Sequence, residues 1–176
     1  IQAIDEAISI ASKLSDPIER LSGEGNKASF LWLQGQYDEA IALYDSCLAQ
    51  LREIPGDRSL TEMTVCMGNR AFVPVMRGDF ATGLDGMEEA HAFRMSNGLQ
   101  VQGDLTTPAL AMLRIIHGQR ESAVDFLRDG LVVLYQSGSA RSQQIGLEYA
   151  AGALVALGDR KSGEALIDWV QQWRIR

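Results

Sequence analysis

Cysteine is scarce in this chain. Cys47 and Cys66 are its only two, too few for a disulfide framework and without the spacing of a metal site. Both read as buried thiols. The two histidines, His91 and His117, stand far apart and neither has a metal-spaced partner. Basic charge is also short, with 16 Lys and Arg against 23 Asp and Glu and a formal net charge of −7. Nucleic-acid binding needs a basic stripe, so this segment is not expected to bind nucleic acid directly. No apolar run reaches the ~18 residues of a membrane span, so no membrane insertion is expected.

Catalytic patterns are missing as well. Gly23-Glu24-Gly25-Asn26-Lys27-Ala28 imitates the dinucleotide fingerprint G-x-G-x-x-A, but no strand precedes it. No phosphate loop occurs, so an ATPase domain of this protein would lie outside these residues. No Ser-His-Asp or Cys-His spacing appears. Glu88-Glu89 and Asp57-Arg58 read as surface charge. The expectation is a chain that is not an enzyme, with no cofactor and no metal. Its first residue is Ile1 rather than methionine. It is therefore expected to be a piece of a longer protein, placed in the cytoplasm.

What the chain does have is an internal repeat. Gly35, Gly78, Gly118 and Gly158 stand 43, 40 and 40 residues apart. Each is followed by apolar residues at helical spacing, as in GQYDEAIALYDSC from Gly35 to Cys47. Seven residues before each glycine is an alanine: Ala28, Ala71, Ala111, Ala151. Five residues after it is a small residue: Ala40, Gly83, Ala123, Gly163. Helix axes approach closely only where side chains are small. The two columns are therefore placed face to face across a hairpin that turns at the glycine, which suits a left-handed turn. A bulky column follows nine residues after it, Tyr44, Met87, Leu127 and Ile167. A third small column, Cys47, Ala90 and Gly130, breaks at Val170. A period of this size signals stacked helix pairs.

These residues resemble the tetratricopeptide (TPR) family, whose repeat places G-x-Y-x-x-A at the turn between a first and a second helix. GQYDEAIALYDSCLA follows that pattern closely, and GDFATGLDGMEEA follows it well. Arg120 and Arg160 replace the aromatic in the later copies. The resemblance covers nearly the whole chain and implies an all-α, right-handed α-solenoid. Its period of about 40 exceeds the usual one, and only Ala7 to Ala40 fits the shorter spacing. The longer repeats look like the helical arrays of bacterial LuxR-like, maltose-activator-type regulators and of signal-transduction ATPases.

Local signals divide the chain into a single repeat domain over 1–176. Residues 1–15 read as the second helix of an incomplete repeat. Helix pairs are expected over 17–53, 59–96, 106–136 and 140–175. Asp16-Pro17 caps the first of these, with Gly23 and Gly25 weakening its start. Ser59 with Glu62 forms a capping box. Pro74 should kink its helix. Asn97-Gly98 carries C-cap chemistry, and His117 suits a helix C-terminus.

In the TPR family the first helices line a concave face that holds a peptide or partner helix. The resemblance therefore implies a protein- or peptide-binding scaffold or sensor module. The candidate lining is Asn26, Trp32, Asn69, Phe72, Val75, Met112, Ile115 and Tyr149, taken three, six and nine residues before the turn glycines. An asparagine offers a peptide backbone both a donor and an acceptor. The same columns would equally pack against a neighbouring repeat. A small-molecule effector site on that face is one alternative. Self-association through the repeat ends, where Trp169 and Trp173 lie one turn apart, is another.

Overall fold

The computed structural model describes residues 16–99, 106–136 and 140–174, together with Glu6, Ser9 and Ile10. The half repeat expected over 1–15 otherwise lies outside the described residues, as does most of the connection before Thr106. Every described element is an α-helix. They are α1 (Pro17–Leu33), α2 (Tyr37–Arg52), α3 (Asp57–Met76), α4 (Phe80–Ser96), α5 (Thr106–Ile116), α6 (Arg120–Gln136), α7 (Ala140–Leu157) and α8 (Arg160–Arg174). Two compact units divide them: Ile1–Leu99, holding α1 to α4, and Gln100–Arg176, holding α5 to α8.

Each unit is two stacked hairpins. In the first unit α1 packs on α2, α2 on α3, α3 on α4, and α1 on α3. The second unit repeats the arrangement with α5 to α8. Stacked hairpins of this kind build an all-α solenoid.

The turns explain the period. Gly35, Gly78, Gly118 and Gly158 have φ of 80°, 85°, 82° and 99°. Each glycine N–H bonds back three residues, to Trp32, Val75, Ile115 or Val155. The next N–H bonds back five residues: Gln36 to Leu31 at 2.9 Å, Asp79 to Pro74 at 2.9 Å, Gln119 to Arg114 at 2.8 Å and Asp159 to Leu154 at 2.9 Å. Such a closure satisfies orphan carbonyls at a helix end and needs a left-handed residue. Gly98, with φ 64°, ends α4 in the same way, Leu99 bonding back to Arg94.

The small columns lie where the repeat places them. Ala28, Ala111, Ala151, Ala40 and Ala123 are fully buried, and Ala71 nearly so. A Cβ on Gly83 would stand 3.4 Å from the Ala71 carbonyl oxygen, and one on Gly163 2.8 Å from that of Ala151. The two glycines coincide with valines three residues before the turn. Val75 Cγ2 would be 2.3 Å from the Gly83 Cβ, and Val155 Cγ2 2.6 Å from that of Gly163. A valine methyl thus fills the space of the missing side chain. Val170, which departs from the third small column, is still buried at 1% exposure.

Some local expectations need correction. The Ser59–Glu62 capping box does not form. Gly56, at φ 111°, turns the chain early enough that α3 begins at Asp57. Ser59 Oγ instead donates to the Leu51 carbonyl at 2.6 Å, tying the first turn of α3 to the last turn of α2. Gly23 and Gly25 do not delay α1. Asp16 Oδ1 accepts from the Ile18 and Glu19 N–H groups, and Pro17 pre-sets the first turn. Gly25 serves packing, since a Cβ there would meet Cys66 Sγ at 3.3 Å. The helix α3 holds Pro74 inside it and ends at Met76, close to the expected end.

Charge lines the seam between α1 and α3. Arg58 bonds Asp16 at 2.7 Å and Glu19 at 2.5 Å. The Arg58 hydrogen bond and the Glu19 N–H hold the Asp16 carboxyl below its usual range. Glu62, on the same seam, is raised, chiefly by burial, against a lowering hydrogen bond from Ser22. A carboxyl raised on folding contributes stability that is complete below its unfolded pKa and lost as pH rises through its folded one. Glu62→Gln mimics the protonated form and keeps a hydrogen-bonding group. It should move the urea midpoint upward near about pH 7, with the gain shrinking toward about pH 4. An equal or lower midpoint at neutral pH would show that the carboxylate is well solvated.

Candidate binding face

On the first helices of the hairpins, a side chain's direction follows from its distance to the turn glycine. Residues thirteen, nine, six and two before the glycine are separated by four, three and four positions. That spacing keeps them on one helical stripe. On α3 the stripe is Val65, Asn69, Phe72 and Met76. Val65 is 39% and Met76 50% exposed, while Asn69 and Phe72 are half-buried. On α1, packed beside it, the same positions hold Ser22, Asn26, Ser29 and Leu33, of which Ser22 turns to Glu62 and Ser29 to Tyr44. Asn26 is exposed and Leu33 is 63% exposed. The first unit therefore presents two parallel stripes with apolar residues toward the turns and an amide on each.

The residues singled out in the sequence do not all share that face. Asn26, Asn69 and Phe72 lie on the stripes. Trp32 packs against the first unit's core, its buried indole beside the Tyr44 hydroxyl. Val75 turns toward Gly83 of the second helix. In the second unit Ile115 is buried at 2% exposure, while Met112 sits half-buried against position 152, its Sδ 3.1 Å from where a Gly152 Cβ would be. Tyr149 is half-buried, and burial pushes its phenol well above the usual value. Counting three, six and nine back explains the spread. Each step of three residues drifts about 60° around a helix, so the column three before the glycine faces its own partner helix.

The column two before the glycine is the one that sequence reasoning missed. Leu33, Met76 and Ile116 occupy it, exposed by 63%, 50% and 45%. The signal was present, since three of four repeats place a large apolar residue there. Polar chemistry on the interior side is confined to packing. Ser29 Oγ and the Tyr44 hydroxyl share a hydrogen bond of 2.7 Å, and burial pushes the Tyr44 phenol up to about 12. Cys47 is likewise pushed up to about 12 by burial, with Glu24 adding to it, and Cys66 is raised further in the same sense. Such thiols are poor nucleophiles. Among the described residues no group of His, Cys, Asp and Glu could hold a metal ion.

The fold is shared with solved structures. One is the crystal structure of BtubC (BKLC) from P. vanneervenii, at TM-score 0.60 and 16% identity, covering 99% of this chain and 89% of that one. The fold is that of TPR-like repeats. Another is a Podosopora anserina putative kinesin light chain with nearly identical TPR-like repeats, at TM-score 0.55 and 17% identity, covering 97% of this chain and 83% of that one. No family model and no curated protein matches the sequence. The TPR-like fold is thus observed in the structure, whereas likeness to maltose-activator-type regulators rests on repeat length alone. No described helix is long and apolar enough to cross a membrane.

Proposed function

We propose that this TPR-like chain is a peptide-binding scaffold whose first-helix face takes an extended partner segment. The observation that carries the reading is the pair of matched stripes on α1 and α3. Leu33 and Met76, unusually exposed for apolar side chains, recur at the same place beside Asn26 and Asn69. Apolar residues that recur on one surface mark an interaction site more strongly than scattered ones. Apolar side chains of the partner would meet Leu33, Phe72 and Met76. The amides would satisfy its backbone. A sensor role in a bacterial transcriptional regulator or signal-transduction ATPase, with cytoplasmic placement, is supported by the long repeat period alone. The net charge of −7 supports a protein partner over nucleic acid.

A phage-displayed peptide library selected on the full chain tests the reading. Selected peptides should bind the Leu33→Ser, Met76→Ser double variant about tenfold more weakly, because two apolar contacts are lost. Its melting temperature should match the parent's, since both side chains are exposed. Peptides that bind parent and variant equally would move the site elsewhere. A mass that rises with concentration in light scattering would favour self-association through the repeat ends.

A further inference from the structure

Gly86 breaks the repeat. Eight residues after the turn glycine the other copies carry Leu43, Phe126 and Leu166. Position 86 has no side chain, and α3 comes so close that a Cβ there would lie 2.9 Å from Ala71 Cβ. Beside this gap a cleft of about 210 Å³ opens between α2, α3 and α4. It lies away from the first-helix stripes, and none of its lining residues belongs to them.

The cleft has an apolar floor and charged walls. Leu48 is 5% exposed and Ala71 3%, and Met67 is half-buried beside them. Arg70 is fixed by Asp45, with Nε to Oδ1 at 2.6 Å and Nη2 to Oδ2 at 3.4 Å. Two further charged side chains, both exposed, line the same space with no ion-pair or hydrogen-bond partner among the described residues. They are Arg52 from α2 and Glu89 from α4, and they do not reach each other. A simple anion in the cleft would face Glu89, and a simple cation would face Arg52. Only a ligand carrying both signs satisfies both walls.

We propose that this cleft binds a small zwitterion of the free amino-acid type, its carboxylate on Arg52 and its ammonium on Glu89. The volume supports a molecule of that size, being below the ~300–1,000 Å³ of drug-sized sites. A residue within a peptide chain carries neither terminal charge, so the cleft discriminates against peptides. Charge-assisted hydrogen bonds at both ends fix the ligand's orientation, and the Leu48–Met67 floor takes its side chain.

Thermal unfolding of the full chain with each standard amino acid in turn tests the proposal. At least one free amino acid should raise the melting temperature, because a ligand of the folded state stabilises it. Its N-acetyl and carboxamide forms should not. Arg52→Gln and Glu89→Gln should each weaken calorimetric binding at least about tenfold, through loss of one charged contact. Both should leave the unliganded melting temperature unchanged, since neither exposed side chain has a partner among the described residues. Stabilisation by no free amino acid would overturn the proposal. So would binding that survives both substitutions, or equal binding of the blocked forms.

Discussion

Tyr44→Ala is expected to cost about 3–5 kcal/mol, as buried aromatic truncations do. Tyr44 is fully buried and is the largest such side chain among the described residues. It sits in the bulky column nine residues after the turn glycine, inside the cluster that joins α1, α2 and α3. Truncation would empty that space between two hairpins, and helices held by several neighbours collapse only partly onto a cavity. It would also take away the hydroxyl that Ser29 shares, although Ser29 Oγ keeps its bond to the Gly25 carbonyl at 3.2 Å. Tyr44→Phe separates the two contributions, since it removes only the hydroxyl and should cost about 1 kcal/mol. Denaturant unfolding of the pair at constant m-value is the measurement. A loss below about 1 kcal/mol for the alanine variant would mean that this column does not fill the hairpin interface.

The repeat was legible because its causes are local. A glycine with positive φ, an alanine seven back and a small residue five on are all positions where one kind of residue fits. They therefore recur and can be counted. Helix ends marked by Asp16-Pro17 and Asn97-Gly98 were legible for the same reason. The proposed binding face was less so. No packing rule fixes the identity of residues at a partly open surface. Asn26, Asn69 and Phe72 could be placed because periodicity carries them. Trp32 and Val75 were assigned to the same face by sequence distance, but the helical phase turns them inward. Gly86 shows the opposite limit. In the sequence it is one more small residue in a helix, and only the approach of Ala71 and the cleft beside it give it meaning.

Ala111→Leu and Ala123→Leu should each destabilise the second unit by about 1–3 kcal/mol, the usual cost of overpacking a filled site. Both alanines are fully buried and belong to one cluster of α5, α6 and α7 residues. Their columns meet across the hairpin at Gly78, where Gly83 approaches the Ala71 carbonyl, and at Gly158, where Gly163 approaches that of Ala151. Ile115, at 2% exposure on the adjoining turn of α5, leaves no room for the added atoms. The two leucines would compete for one space, so the double variant's loss should depart from the sum of the singles. Val124→Leu is the control, one residue beyond Ala123 and 47% exposed, and it should shift stability by under about 0.5 kcal/mol. If both leucine variants unfold at the parent's midpoint, the hairpin register is wrong by at least one helical position. The same error would displace the stripe that carries Leu33 and Met76.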